Sequence, residues 1–309
     1  MSTPEITDVT GGLDFPEGPV VLADGTVVVT ELFAGRITKV APDGTKTTLA
    51  EPGGSPNGLA IGPDGALYVC NSGGWGYHEV MGMKVPDSRQ PPHYSGGRIE
   101  RVDLATGEVS VLYTACDGNE LVGPNDLVFD AHGGFYFTDH GKDRGRVRTL
   151  GAIYYATADG SSIREVVFPL ESPNGIGLSP DGTRLYAAET HTGRLWAWTL
   201  AGPGELVGGA SAAAHGGDML CGLPGMQLFD SLAVDAQGNV VVATLVTGAL
   251  SVISPAGELL DQIVCGDPLV TNVAFGGADL RTAYVTLSGT GRLARFVYER
   301  GGLRLAHTA

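Results

Sequence analysis

Six residues with oxygen-bearing side chains stand at the head of one repeated unit: Glu17, Asn57, Asn125, Asn174, Asp230 and Asn272. The units read Pro16-Glu17-Gly18-Pro19, Pro56-Asn57-Gly58-Leu59, Pro124-Asn125-Asp126-Leu127, Pro173-Asn174-Gly175-Ile176, Phe229-Asp230-Ser231-Leu232 and Thr271-Asn272-Val273-Ala274. Carboxylate and amide oxygens are hard ligands, suited to Ca²⁺, Mg²⁺ or Mn²⁺ rather than to metals that favour cysteine or several histidines. Two carboxylates would neutralise a divalent ion, and amides would complete its shell without excess charge. Asn57-Gly58 and Asn174-Gly175 fit equally well as backbone turns. Glu17 and Asp230 do not. Each replaces the usual Asn, and each lies just before an apolar strand, where a charge needs a partner.

The elements that position these heads follow from the rest of the unit. Each head opens an apolar run, a turn such as Pro63-Asp64-Gly65 or Pro180-Asp181-Gly182, and a second β-rich run. A Gly-led ribbon of two more strands comes next, starting at Gly35, Gly97, Gly151, Gly193, Gly248 and Gly291. Four short antiparallel strands repeated six times predict an all-β, six-bladed β-propeller, as one domain over residues 1–309. Residues 6–9 are expected at the seam of the ring, paired with 293–297 or 303–307.

Antiparallel strands place all six heads on one face, with the Asp-Gly turns on the other. The spacing from head to ribbon is 18 or 19 residues in four units, 40 in the second and 26 in the third. The surplus falls at residues 71–96 and 139–150, and a third long piece, 209–228, precedes Asp230. All three are expected over the head face, where clustered loops form a pocket rim. His78, His93, His140, His191 and His215 map there too, as do Trp75, Met219 and Met226. His140 directly follows the strand end at Asp139. It is expected to overhang the pocket and to contact substrate or assist a proton transfer. Arg144, Arg146 and Arg148 form a basic cluster able to attract an anionic substrate. His132 is expected in a turn of the far face, and His307 in a terminal strand.

The formal net charge is −15 in 309 residues, which disfavours nucleic acid, whose binding needs clustered Lys and Arg. No apolar stretch approaches the ~20 residues that span a bilayer. The N-terminus has no basic-then-apolar leader. Cys70, Cys116, Cys221 and Cys265 are widely spaced with no CxxC, which points to buried free thiols in a reducing cytoplasm. The oligomeric state is left open.

Four motifs in order carry a family resemblance: Glu17-Gly18-Pro19-Val20; Pro124-Asn125-Asp126 with Phe135-Tyr136-Phe137-Thr138-Asp139; Ser172-Pro173-Asn174-Gly175; and Asp230-Ser231-Leu232-Ala233-Val234-Asp235. The chain resembles the senescence marker protein (regucalcin), gluconolactonase and luciferin-regenerating enzyme family from about residue 15 to 296. The resemblance implies one divalent cation on the propeller axis, Ca²⁺ first, with Mg²⁺, Mn²⁺, Zn²⁺ or Fe²⁺ as alternatives. Its ligands would be Glu17, Asn125, Asn174 and Asp230. Asn57 and Asn272 would face the substrate or be structural, Asn125 would also touch the substrate, and Asp230 would take a proton from water; His140 joins the substrate candidates by its place after Asp139. The implied activity is opening of a small-molecule lactone. The alternatives are a phosphotriesterase like diisopropyl fluorophosphatase on the same ring, and a non-enzymatic calcium- or ligand-binding propeller. Two departures bear on the substrate. Sugar-lactone members carry Arg where Gly123 stands, and many members carry Gly where Ser231 stands.

Overall fold

In a computed structural model, residues 4–87, 89–208 and 211–307 are described. Residues 1–3, Ser88 in the first long connection, and Gly209 and Ala210 at the start of the third lie outside them, as do 308 and 309. The described residues contain strands and no helix, so none is long and apolar enough to cross a membrane.

Six antiparallel sheets stand in a ring as a six-bladed β-propeller. Blade 1 holds Pro16–Val21, Val27–Glu31, Arg36–Val40 and Lys46–Ala50. Blades 2 and 3 open with Pro56–Ile61 and Pro124–Phe129, and blades 4 and 5 with Pro173–Leu178 and Leu228–Val234. Blade 6 comprises Val270–Gly276, Thr282–Leu287 and Arg292–Val297, completed by the N-terminal strand Thr7–Thr10. The N-terminal strand is therefore the fourth strand of the last blade. Of the two expected partners it takes Arg292–Val297. Leu303 instead bonds Val234, and residues 303–307 cross the far face without forming a strand, His307 included.

The opening strands line the axis. Packed apolar layers such as Val69, Val102 and Leu67 or Val241, Val252 and Val285 fill the space between blades. Each Asp-Gly turn is closed by its own acid, as in Asp24 accepting from Thr26 N at 2.9 Å and Asp181 accepting from Thr183 N at 3.1 Å.

The heads do not precede their strands; they lie inside them. In all six blades the pairing register slips at or beside the head, as between Glu17 and Val20 or between Phe229 and Leu232. A bulge turns a side chain away from the regular alternation. Here it frees the head from the pleat that would otherwise decide its direction. Gly58 and Gly175, readable as turn glycines, have no left-handed backbone. A Cβ at Gly58 would lie 2.7 Å from Asn125 O, and one at Gly175 would lie 2.4 Å from Leu232 N. These glycines let neighbouring axial strands approach closely, which draws the heads together.

The third long piece does not rise over the head face as expected. It contains Asp218–Gly222, which is the fourth strand of blade 4 on Arg194–Gly202. The short strand Glu205–Leu206, where a fourth strand would be sought in sequence, covers only the far end of Arg194–Gly202. His215 accordingly packs on Trp196 and Trp198 along the blade flank, with ring centroids at 4.4 and 5.6 Å. Met219 and Met226 are exposed and form no pocket wall.

Candidate functional site

The second strand of each blade ends beside the head of the first, and this juncture builds the site. Thr30 Oγ1 donates to Asn57 O at 2.8 Å, and Thr138 Oγ1 donates to Asn174 O at 2.6 Å. In both cases a threonine of one blade fixes the head of the next. The residues that follow are acids with a separate task. Asp139 accepts from the N–H groups of Val122, Gly123 and Gly141 at 2.7, 2.7 and 2.9 Å. Glu189 accepts from Glu171 N and Trp196 Nε1, both at 2.7 Å. These buried carboxylates hold the loop backbone around the head face. Phe15 and Ser172, each just before the proline of a head motif, adopt left-handed backbone with φ of 61° and 58°. Such strain in a non-glycine residue persists only where the surroundings over-determine it.

All six heads are buried, with exposures between 3% and 8%. Among the described residues no ion pair involves Glu17, Asp126 or Asp230. Glu17 Oε2 receives long contacts from Gly18 N at 3.3 Å and Asn272 Nδ2 at 3.4 Å. Burial pushes the Glu17 carboxyl well above its ordinary range, and the charge of Asp230 pushes it further. The same burial raises Asp230, with Asp126 adding to the shift and an Asn174 hydrogen bond opposing it. Asp126 is raised to about 7 by burial, against hydrogen bonds from Ser231 Oγ and Leu127 N. Three acids are thus held out of water with no cationic side chain beside them.

That environment fits a divalent cation. Isolated buried carboxylates are unfavourable unless they are protonated, paired or bound to metal. The Asn57 and Asn125 side-chain amides make no hydrogen bond to the described residues, and Asn174 Nδ2 is anchored on Thr190 Oγ1 at 3.1 Å. No group of three or more His, Cys, Asp or Glu forms a metal-holding cluster among the described residues. A cation at the heads would therefore draw on amide oxygens beside Glu17 and Asp230, which suits a hard ion.

The two long connections of blades 2 and 3 do lie over this face. The hairpin Gly76–Val80 and Met83–Asp87 reaches blade 1, where Lys84 pairs with Asp14 at 2.5 Å and lies over the Phe33 ring. Met83 Sδ lies 3.0 Å from where a Cβ on Gly289 of blade 6 would be. Gln90 N donates to Asp143 O at 2.9 Å, joining the hairpin to residues 139–150. Trp75 belongs to the cluster of Phe15 and Leu32 that flanks the head of blade 1.

His140 is buried under this roof and does not overhang an open pocket. Its ring meets Trp75 at 5.3 Å and His191 at 5.5 Å. Burial first, then the charges of His191, Lys142 and Arg148, hold its pKa well below the usual value, so the imidazole is neutral. His191 contacts Ser172 and Arg148, while His78 is exposed beside Asp87 and Arg89. Of the arginine cluster, Arg148 is engaged by Asp143 and Glu171, and Arg144 by Gln90. His132 and His307 line a cavity of about 530 Å³ within the axial channel on the far side of the heads. Sequence reading passed over Asp126, Thr30, Thr138 and Lys142. The recurring Thr-Glu and Thr-Asp at second-strand ends, Thr30-Glu31 and Thr138-Asp139, was the available signal.

Residues 15–289 match the SMP-30/Gluconolactonase/LRE-like region. Over 251 residues the chain is 30% identical to the lactonase drp35 of Staphylococcus saprophyticus, covering 80% of this chain and 69% of that one. It is 25% identical to the gluconolactonase of Zymomonas mobilis, covering 89% and 77% of the two chains. Among solved structures it superposes on a gluconolactonase of Xanthomonas campestris with a TM-score of 0.75 at 23% identity, over 96% of this chain and 90% of that one. It also superposes on regucalcin, a calcium-binding protein of Agrobacterium tumefaciens, with a TM-score of 0.68 at 19% identity over 98% and 97%. With a six-bladed ring, four head motifs in order and a match over most of its length, the chain belongs to the SMP-30/gluconolactonase/LRE-like family.

Proposed function

We propose that this protein is a divalent-metal-dependent lactonase, with its reaction centre at the heads of the six axial strands. The observation that carries the reading is the burial of Glu17 and Asp230 within electrostatic reach of each other, amid amides and without a cationic partner. The names of its lactonase and gluconolactonase relatives support the substrate class. Glu17, Asn125, Asn174 and Asp230 are the residues that would hold the cation, Ca²⁺ by preference, as in the name of the calcium-binding neighbour. When bound, such an ion supplies positive charge for the carbonyl oxygen and lowers the pKa of a water molecule.

The chain's own groups do the rest. Asp230 Oδ takes a proton from the attacking water. The water oxygen bonds to the carbonyl carbon, the ring C–O bond breaks, and the released alkoxide regains a proton, leaving a hydroxy acid. Asn57 and Asn272 hold the lactone at the ring. His140, kept neutral by burial, offers a polar edge to the substrate without adding charge. The roof of Trp75 and the Gly76–Val80 hairpin excludes bulk water, which strengthens each of these interactions. Four buried free thiols fit a reducing compartment such as the cytoplasm, and the interlocked ring fits one domain over 1–309.

The test is pH-stat titration of sugar, aliphatic and aromatic lactones. Turnover should vanish on chelation, return with Ca²⁺ or Mn²⁺, and be lost in Asp230→Ala. Full activity in that variant would rule the reading out, and turnover of phosphofluoridates alone would move the chemistry to phosphotriesters.

A further inference from the structure

Two buried hydrogen-bond donors meet in the roof with nothing to receive them. Lys142 Nζ is closed off from solvent and makes no hydrogen bond, and the same holds for Trp75 Nε1. The amine lies 3.6 Å from the Trp75 ring centroid, over its face. Asp139 attracts the amine electrostatically but makes no hydrogen bond to it, because that carboxylate is engaged by three backbone N–H groups. Burying an ammonium on a tryptophan face alone is expensive, and buried polar groups are nearly always paired. The indole contributes some cation–π attraction, yet its own N–H stays unpaired as well. His140, which touches the same ring, is neutral and cannot supply a counter-charge.

The pair stands in the roof beside the heads. Trp75 shares a cluster with Phe15, two residues before Glu17, and Lys142 follows His140 by two. Gly123 and Gly141 pack so closely that a Cβ on Gly123 would lie 2.9 Å from Gly141 O. A side chain at position 123 would have to displace the Gly141 carbonyl, and the buried cation on the adjoining loop is Lys142. The surrounding rim, residues 142–148, carries four basic residues and one acid in a protein of net charge −15. Such local reversal of sign draws anions toward one place.

We propose that Lys142 Nζ and Trp75 Nε1 together receive a carboxylate carried by the lactone, so that the substrate is an anionic lactone rather than a neutral sugar lactone. This rests on the lactonase reading and deepens it. An oxygen at the edge of the indole accepts from both donors, and the carboxylate neutralises the amine. Entry requires the Trp75 side chain to swing aside about its own bonds, because its backbone is pinned by Trp75 N donating to Ser55 Oγ at 2.9 Å and Gly73 N donating to Asn71 Oδ1 at 3.0 Å.

The experiment uses metal-reconstituted protein and a matched pair of probes, γ-butyrolactone and 5-oxotetrahydrofuran-2-carboxylate. Wild type should favour the carboxylated ring by roughly 100-fold in kcat/KM. Lys142→Met, which keeps the packing on Trp75, should lose most of that preference while leaving the neutral ring within about twofold. Trp75→Phe removes one donor and should lower the preference for the carboxylated over the neutral ring roughly five- to tenfold, beyond any loss the two rings share through the roof. Equal use of the two rings, or equal losses on both in Lys142→Met, overturns the proposal. Calorimetric binding of 2-hydroxyglutarate, the ring-opened product, separates the two readings. If neither lactone turns over, the lactonase reading fails. Product binding that is lost in Lys142→Met still upholds the subsite, and binding that is absent or unchanged in that variant rejects it.

Discussion

Asp230, the base in the proposed reaction, is also a source of instability. Its carboxyl is raised above its ordinary value by burial and by Asp126, so the folded chain without metal resists its ionisation. A folded-state pKa above the unfolded one gives stability that is present at low pH and lost as pH rises through the folded value. Buried histidines such as His140 titrate with the opposite sign, so the difference between variants is the clean measure. The metal-free Asp230→Asn protein should melt above wild type, by a margin that grows from pH 5 to pH 8. Its lactone turnover should fall by about 10³-fold or more. A margin independent of pH would mean that Asp230 is not held out of water. Lys142 works the other way. Burial lowers its pKa from 10.5 to about 7, so below pH 7 the fold carries a buried charge without hydrogen bonds, while above it the folded amine is increasingly neutral. Lys142→Met should therefore raise the melting temperature most below pH 7, with the gain shrinking as pH climbs toward 10.5. In the sequence, Glu17 and Asp230 were legible because they broke a repeated Asn. Asp126 and Lys142 were not, because Asp126 looks like a turn residue after Asn125 and Lys142 looks like one more solvated charge in a basic loop. Only tertiary burial distinguishes them.

At the scale of the element, the head bulge and the second-strand threonine act together. Thr138 donates to Asn174 O and accepts from Asp126 N at 3.1 Å, linking blades 3 and 4 beneath the site. Thr138→Val should cost about 1–3 kcal/mol, because both buried partners lose their hydrogen bond. Differential scanning calorimetry should show that loss, together with a weaker apparent affinity for cation, since Asn174 loses its tether. Strand identity was readable from apolar runs between Asp-Gly turns, which makes most of each blade a local property. The slip at each head was not readable, since a bulge depends on the partner strand. The fourth strand of blade 4 was hidden for a related reason. Residues 205–207 are short and apolar enough to look like an outer strand, but Asp218–Gly222 aligns with Trp196 along the blade, and long-range pairing takes precedence over adjacency.

The whole ring is closed by a contact between chain ends. Thr7–Thr10 pairs with Arg292–Val297, and Arg292 reaches Asp8 at 3.0 Å. Deleting residues 4–10 should leave that strand as an open edge, lower the thermal midpoint by roughly 10 °C, and promote self-association, as seen by calorimetry and light scattering. A midpoint within a degree of wild type would show that closure does not depend on this strand. The repeat made six blades legible, and the leftover segment at the N-terminus placed the seam. The roof was legible only as surplus length in two connections. Its reach to blades 1 and 6 depends on Lys84 meeting Asp14 and Met83 meeting Gly289, pairings with no sequence signal.

These scales converge on the proposal that the ring of acids and amides gathers one divalent ion at the axis. Calorimetric titration of chelator-stripped protein with Ca²⁺ tests this most directly. The result expected is one ion per chain for wild type and none for a Glu17→Gln, Asp230→Asn double variant that still melts cooperatively. Absence of binding in wild type, or unchanged binding in that variant, would contradict it.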